Sequence, residues 1–328
     1  MVGGWGVTLK MIERLRKVMA SRHHAHPVRR GIWRVMARMG MTGMHALPVS
    51  RRWVEIHRRT MALTGLSPDM AGFRLVQLSD LHYSPVVWKR YIEQYLEFVN
   101  RLRPDVVVIT GDLITGGYRY AKGVAKVLKR LDTTYGAGGV VVTFGNHDYS
   151  IWGKNSPGQG DRRGDYLERV IEDEGIVVLR NEVLRVSRAG VRQCRAGDTG
   201  DRGRGELVLV GLDDEWTGRI DPATAFSLVA PRGDGEAVVC LNHNPINARE
   251  LLGYPWQWML SGHTHGRQLG ERGLGKHLLA HKRREYTNGY YDVAGRHLYV
   301  NRGLSYGQRM HDWCRPEVTA FRLGLESK

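Results

Sequence analysis

The chain has few cysteines and no long apolar stretch. Its three cysteines, Cys194, Cys240 and Cys314, lie far apart and never form a Cys-x-x-Cys spacing. The sequence therefore predicts neither a disulfide framework nor a zinc ribbon, and a reducing compartment is the simpler interpretation. No run approaches the roughly 18 uncharged residues that a membrane-spanning helix needs.

Acidic residues are scarce beside basic ones. The chain holds 49 Lys and Arg against 33 Asp and Glu, a net charge of +16. Residues 1–60 hold thirteen Lys and Arg but only Glu13 and Glu55 as acidic residues, so this segment alone carries +11. The sequence predicts a basic helical extension over residues 1–60, followed by a catalytic domain over residues 61–328.

Two stretches of this extension have the pattern of basic amphipathic helices. Apolar residues between Met11 and Met19 share one helical face, and Arg30, Arg34 and Arg38 recur at a spacing of four. Such helices bind anionic membrane surfaces, although packing on the catalytic domain is the alternative. Because no export signal with a cleavage site is recognisable, we expect a cytoplasmic protein, peripheral on the cytoplasmic face of the inner membrane.

Polar residues follow five apolar runs of the chain. The runs cover residues 73–78, 106–110, 140–144, 237–241 and 258–260, and their composition is typical of buried strands. The polar residues after them are Asp80 and His82, then Asp112, then Asn146, His147 and Asp148, then His243, and finally His263 and His265. Ligands of layered α/β proteins bind at the carboxyl ends of strands, so these side chains are expected at one edge.

The residue types suit a site for two metal ions. Asp80 and His82, two apart on a strand end, can bind a first ion, and the two oxygens of Asp112 can bridge ions about 3.5–4 Å apart. Nitrogen and oxygen ligands without a thiolate favour manganese, iron or zinc. Three of the segments have a plainer interpretation: Gly-Asp is an ordinary turn, Asn146 can cap a helix, and His243 can be a buried, hydrogen-bonded histidine. The two histidines between glycines, His263 and His265, have little structural purpose.

The five segments together resemble the calcineurin-like metallophosphoesterase superfamily, over about residues 72–325. The shared pattern is Asp-x-His, Gly-Asp, Gly-Asn-His-Asp, a later His, and Gly-His-x-His. The resemblance implies an α/β fold, a layered β-sandwich flanked by helices, and a metal-dependent phosphohydrolase. It also implies two divalent ions, with manganese preferred and iron or zinc as alternatives.

The resemblance further implies a role for each residue. The first ion would be bound by Asp80, His82 and His265, the second by Asn146, His243 and His263, with Asp112 bridging them. His147 would be the general acid that protonates the leaving oxygen. Asp148 would orient His147 or contact substrate, or else would only cap a helix.

Several segments resemble a bacterial branch of membrane-associated phosphodiesterases, some of which hydrolyse UDP-2,3-diacylglucosamine in lipid A synthesis. These are residues 73–82, 209–214, 243–245 and 314–319. Arg267 stands where the branch has a glycine, so it either binds a second phosphate or faces water. Residues 305–313 also depart from the branch.

We therefore expect a hydrolase that acts on a phosphorylated lipid or nucleotide-lipid substrate at a membrane. One alternative is a phosphodiesterase for nucleic acid or a cyclic nucleotide, since basic charge also attracts nucleic acid. Another is a non-catalytic module that binds a membrane or nucleic acid. Residues 153–164 are predicted to form a loop, either a lid over the substrate or a plain surface insertion. A helix and then a strand are predicted between residues 167 and 178, with further strands at 183–186 and 206–212.

Overall fold

The computed structural model describes residues 54–84, 87, 89–151, 160–198, 205–230, 235–266, 285–305 and 315–326. The predictions for residues 1–53, for Arg267 and for residues 152–159 lie outside the described residues. The strands are β1 (Glu55–Leu63), β2 (Arg74–Leu78), β3 (Val106–Thr110), β4 (Val140–Thr143), β5 (Val177–Val178), β6 (Glu182–Ser187), β7 (Gly190–Cys194), β8 (Leu207–Gly211), β9 (Ala237–Leu241), β10 (Trp258–Ser261), β11 (Gly289–Asp292), β12 (His297–Val300) and β13 (Glu317–Leu325). The α-helices are α1 (Lys89–Arg101), α2 (Ala121–Leu128), α3 (Asp161–Glu172) and α4 (Pro222–Ser227).

The strands form two sheets. The first sheet has the order β1-β13-β2-β3-β4-β5, and the second has the order β11-β12-β10-β9-β8-β6-β7. In the first sheet β2 to β5 run parallel and are connected through α1, α2 and α3. In the second sheet β8, β9, β10 and β12 run parallel. The carboxyl ends of parallel strands lie at one edge of a sheet, so this topology brings the residues that follow each strand close together.

A hydrophobic core lies between the two sheets. Buried side chains of the first sheet, such as Leu75 and Val108, pack in one cluster with Leu209, Leu241 and Leu260 of the second. A second cluster on the other face of the second sheet joins Phe226 of α4 to its strands. Buried strands with apolar residues on both faces need cover on both sides, which explains their continuous Val, Ile and Leu runs. The predicted α/β sandwich flanked by helices is confirmed.

Helix α1 shows how the sequence selects its buried face. Its buried residues are Tyr91, Ile92, Tyr95, Leu96 and Val99. This spacing places them on one stripe of a helix with 3.6 residues per turn. Within the described residues, no helix is both long enough and apolar enough to cross a membrane.

Two predicted boundaries are corrected by the fold. The predicted end of the extension at residue 60 falls inside β1, which pairs with β13 from Glu55 onward, so residues 55–60 belong to the first sheet. The predicted 153–164 loop overlaps α3, which begins at Asp161. A Cβ added at Gly164 would lie 2.1 Å from Cε1 of Tyr149, so this glycine allows helix and ring to pack closely and does not indicate a loop.

Candidate metal centre

The backbone at the strand ends adopts an uncommon conformation. Five of the predicted metal ligands have positive φ angles: Asp80 (50°), His82 (47°), Asp112 (54°), His263 (68°) and His265 (51°). Asp and His are among the residue types enriched in this left-handed region, which still costs about 1–3 kcal/mol per residue and persists where neighbours over-determine it. Such residues concentrate at functional sites, which is where the five segments were predicted to meet.

Hydrogen bonds between strand ends hold this backbone. The amide of Asp80 donates to the carbonyl of Gly111 over 3.0 Å, and the amide of His82 donates to the carbonyl of Asp112 over 2.9 Å. In the second sheet, the amide of Gly262 donates to the carbonyl of His243 over 3.0 Å. The first two ligand segments are therefore tied to each other, and so are the last two.

The first cluster contains Asp80, His82, Asp112 and His265, whose ligand atoms all lie within 4.8 Å of one another. Nε2 of His265 lies 3.3 Å from Oδ1 of Asp80, and Nε2 of His82 lies 3.4 Å from Oδ2 of Asp112. The two histidine Nε2 atoms are 3.2 Å apart. Nitrogen and carboxylate atoms thus converge on one point, as the ligands of a single cation do.

The second cluster contains Asp112, His243 and His263, again within 4.8 Å. Nε2 of His243 lies 3.3 Å from Oδ2 of Asp112 and 3.2 Å from Nδ1 of His263. Asp112 is shared by the two clusters, and its Oδ2 faces a histidine of each. This arrangement is the one that a bridging carboxylate between two ions requires.

The surroundings of the histidines determine which nitrogen can bind a metal. Nδ1 of His243 donates a hydrogen bond to the carbonyl oxygen of Thr110 over 2.8 Å, which leaves Nε2 as its ligand atom. Burial lowers the pKa of His243, but the neighbouring Asp112 and Asp80 carboxylates outweigh it and raise that pKa to about 10. Burial lowers the pKa of His82 to about 3, with the positive charges of His147 and His265 assisting and the carboxylates opposing. A histidine that binds a metal must be a neutral imidazole. The lowered pKa of His82 favours this form, whereas a cation bound at His243 would have to displace the proton that the two carboxylates favour.

Among the predicted ligands, two buried side-chain oxygens lack hydrogen-bond partners within the described residues. They are Oδ1 of Asp80 and Oδ1 of Asn146. Nδ2 of Asn146 donates to the carbonyl of Ile151 over 2.6 Å, which assigns Oδ1 as its remaining acceptor. A buried oxygen without a partner is costly, and a bound cation removes that cost. The predicted ligand set thus fits divalent cations.

The comparisons with known proteins agree with this geometry. A family model described as calcineurin-like phosphoesterase matches residues 73–267. The chain belongs to the calcineurin-like phosphoesterase family. It is accordingly a metal-dependent phosphohydrolase, which confirms the predicted family and reaction class.

Three curated relatives extend the likeness over most of the chain. Phosphodiesterase YaeI of Escherichia coli is 28% identical over 83% of this chain and 88% of that protein. The uncharacterized metallophosphoesterase YkuE of Bacillus subtilis is 26% identical over 82% of this chain and 85% of its own length. UDP-2,3-diacylglucosamine pyrophosphatase LpxG of Chlamydia trachomatis is 27% identical over 89% of this chain and 96% of that protein.

In this calcineurin-like phosphoesterase, His147 lies beside the first cluster. Its ring centre is 4.7 Å from that of His82, and its amide donates to Oδ1 of Asp112 over 2.9 Å. Nδ1 donates to the carbonyl oxygen of Thr115 over 3.2 Å. Because Nδ1 keeps its proton for Thr115, Nε2 is the atom that can give a proton to a leaving group.

Asp148 has a different environment from the one predicted. It is fully buried. Its Oδ2 accepts a hydrogen bond from the amide of Gly145 over 2.9 Å, and its Oδ1 accepts one from the amide of Ile114 over 3.1 Å. The prediction that Asp148 contacts substrate is therefore wrong, because the carboxylate is enclosed and holds the turn that carries Asn146 and His147.

The sequence interpretation missed a second group of polar residues after β8. The hydroxyl of Tyr149 donates to Asp213, which also accepts from Nε of Arg180 over 3.1 Å. The indole of Trp216 packs edge-on against His263, with ring centres 4.8 Å apart. The signal was present, because the acidic pair after β8 follows an apolar strand just as the five ligand segments do.

Asp214 gives the site a pH-dependent stability. Burial raises the pKa of its carboxyl to about 7, with the Asp112 and Asp213 carboxylates adding to the effect and His243 opposing it. Because the folded-state pKa exceeds the ordinary value of 3.8, the stability from holding this proton is complete below pH 4 and is lost as pH rises through 7.

In chelator-treated protein, Asp214→Asn should therefore raise the melting temperature at pH 8 but not at pH 4. The gain should be roughly 2–4 °C for each kcal/mol relieved. Thermal unfolding across this pH range checks the prediction, with the exposed Asp132→Asn as the matched control. Equal shifts at pH 4 and pH 8 would contradict it.

Proposed function

We propose that this chain hydrolyses the pyrophosphate of a lipid-linked nucleotide, with UDP-2,3-diacylglucosamine as the preferred substrate and manganese as the preferred metal. The observation that carries the reaction is the pair of clusters that share Oδ2 of Asp112. The choice of substrate is supported by the similarity to LpxG, which extends over 96% of that protein's length. The excess of basic residues in the first part of the chain suits an anionic lipid substrate.

The described residues divide the work of hydrolysis between them. The two divalent ions, when bound, supply a nucleophile at neutral pH and neutralise charge on the phosphoryl oxygens. The residues that would hold them are those of the first cluster, which includes Asp112, together with His243, His263 and Asn146. The amide of His147 donates to the shared carboxylate, which keeps the acid at a constant position relative to both clusters. Its Nε2 gives a proton to the departing oxygen, and the carbonyl of Thr115 stabilises the imidazolium through Nδ1.

The substrate proposal is tested by manganese-dependent release of UMP from UDP-2,3-diacylglucosamine in detergent micelles. Release by the intact chain, and none by an Asp112→Ala variant, supports a pyrophosphatase of this kind. Cleavage of a generic aryl phosphodiester without UMP release would keep the hydrolase and reject the lipid substrate. Cleavage of nucleic acid or a cyclic nucleotide in its place would favour the alternative that basic charge also permits. Parallel assays with iron and zinc test the metal.

We also propose that the chain is peripheral on the cytoplasmic face of a membrane, through its basic residues 1–53. Full-length protein should float with vesicles that contain an anionic phospholipid and should not float with neutral phosphatidylcholine vesicles. Binding should weaken as salt increases, because the attraction is electrostatic. A truncation for this experiment should begin at residue 54, since β1 starts at Glu55. Flotation that is independent of residues 1–53 would reject this role.

His147→Asn should slow the cleavage of substrates according to their leaving group. With a poorly acidic alcohol as leaving group we expect a loss of about 10²- to 10⁴-fold in kcat, because general acid catalysis contributes that much. With a p-nitrophenolate leaving group, which departs without a proton, the loss should be small. Steady-state kinetics with two diesters, one with an alcohol leaving group and one with p-nitrophenolate, check this prediction. An equal loss on both substrates would assign His147 to another role.

A further inference from the structure

A turn over residues 301–305 supports the backbone of Asp80. The amide of Leu304 donates to the carbonyl of Ser79 over 3.0 Å, and the amide of Ser305 donates to the carbonyl of Asp80 over 2.9 Å. A Cβ added at Gly303, where φ is 77°, would lie 2.5 Å from Cβ of Asp80, so the turn packs directly on this residue. The turn and the carbonyl of Gly111 therefore both support the backbone of a metal ligand in a strained conformation.

The turn is itself fixed by a buried network around Glu317. The amide of Glu317 donates to the carbonyl of Gly303 over 3.1 Å. Glu317 is 1% exposed, and its Oε1 accepts hydrogen bonds from the hydroxyls of Tyr299 over 2.6 Å and Thr319 over 2.7 Å. Nδ2 of Asn301 donates to Oγ1 of Thr319 over 2.9 Å, and its Oδ1 accepts from the amide of Gly303 over 2.7 Å.

Arg302 supplies the positive charge of this network. Its Nε donates to Oε2 of Glu317 over 2.6 Å, and its Nη2 pairs with Glu55 at the start of β1. The guanidinium thus joins β1, β13 and the turn. A planar guanidinium can bind two carboxylates with fixed geometry, which a point charge does less well. Removal of Arg302 would leave a buried carboxylate without its counter-charge, and Glu317 and the turn would have to rearrange.

We propose that Arg302 is a positioning residue for the metal centre. It holds the 301–305 turn in place, so that Asp80 keeps its left-handed backbone and presents Oδ1 to the first cluster. A guanidinium has no acceptor atom to offer a cation, so Arg302 acts through Asp80. The inference rests on the assignment of Asp80 as a metal ligand in the proposed function.

The test measures metal affinity directly. Full-length, metal-free protein is titrated with manganese by calorimetry and electron paramagnetic resonance. Arg302→Gln should weaken one manganese site by about 10- to 100-fold, the usual effect of losing an outer-shell partner, and leave the other unchanged. Arg302→Lys should restore part of the loss. Asp80→Asn should weaken the same manganese site as Arg302→Gln, which would identify that site as the first cluster.

Arg185→Gln is the matched control. Arg185 also has a buried guanidinium, 2% exposed, which donates to Oε1 of Glu236 over 2.8 Å and to the carbonyl of Leu228 over 3.1 Å. Its loss should lower the melting temperature without changing either manganese affinity. Arg302→Gln that lowers the melting temperature but binds manganese like the wild type would overturn the positioning role.

Two further outcomes remain distinguishable. If Arg302→Gln does not fold, Glu317→Gln removes the same ion pair from the other side and keeps the volume of the side chain. It should produce the same weakening of one site, and wild-type affinity at both sites would overturn the proposal. If Asp80→Asn leaves both manganese affinities unchanged, the ligand assignment is wrong, and the role of Arg302 fails with it.

Discussion

Replacing Asp112 with alanine is expected to lower kcat/KM by about 1,000-fold or more. The expectation follows from the shared position of Oδ2, which faces His82 of the first cluster and His243 of the second. A bridging ligand contributes to both ions, and losing several kcal/mol of charge stabilisation costs a factor of ten for each 1.36 kcal/mol. Manganese titration of the variant should show weakening at both sites.

Asp105→Ala is the control for this variant. Asp105 is also a buried carboxylate, but it precedes β3, whereas Asp112 follows the same strand. It accepts hydrogen bonds from the amide of Arg74 and the hydroxyl of Thr134. Its removal should lower stability and leave manganese binding intact. An Asp112→Ala protein with both manganese sites intact would exclude the shared ligand.

Gly262→Ala is expected to have the second largest effect. A Cβ at Gly262 would lie 1.8 Å from Oγ of Ser79 and 2.4 Å from Oδ2 of Asp80, distances that no real contact allows. Oδ2 of Asp80 also accepts a hydrogen bond from the amide of His263 over 3.1 Å. Asp80 belongs to the first cluster and His263 to the second, so a shift of Asp80 or His263 disturbs both clusters. A displacement of about 1 Å at a reacting centre costs on the order of 100-fold in rate.

The measurement is manganese-dependent turnover together with the melting temperature. Gly253→Ala provides the control, because a Cβ at Gly253 meets nothing within 4 Å among the described residues. It should retain wild-type turnover and stability. A Gly262→Ala protein as active as Gly253→Ala would show that the backbone relaxes freely here, which the close packing of Ser79 and Asp80 argues against.

The sequence predicts the ligand segments well because each signal is local. A buried parallel strand needs a continuous β-branched run, and the topology of parallel strands then brings the next residues to one edge. Val106 to Thr110 followed by Asp112 shows both parts of this rule, and the structure places Asp112 between the two clusters. The assignment of each residue to a particular ion stays a prediction.

Features that depend on distant partners were not predictable in this way. Strand β1 contains exposed residues such as Arg58 and Arg59 and pairs with β13, far along the chain, so its residues look like part of a basic extension. The motif left open whether Asp148 orients His147, contacts substrate or caps a helix, because its hydrogen bond from the amide of Ile114 comes from a distant part of the chain. The ion pair between Arg302 and Glu317 likewise depends on the pairing of β13 with β2, which no local pattern reveals.

The direction of β1 determines where a tether would leave the catalytic unit. β1 runs parallel to β13, and β13 runs antiparallel to β2. Glu55 and Glu317, at the starts of β1 and β13, therefore lie at the edge where β2 ends and Asp80 follows. Any anchor attached just before residue 54 therefore starts on the catalytic side. Such an arrangement would favour a scissile bond held near a surface over one that diffuses freely.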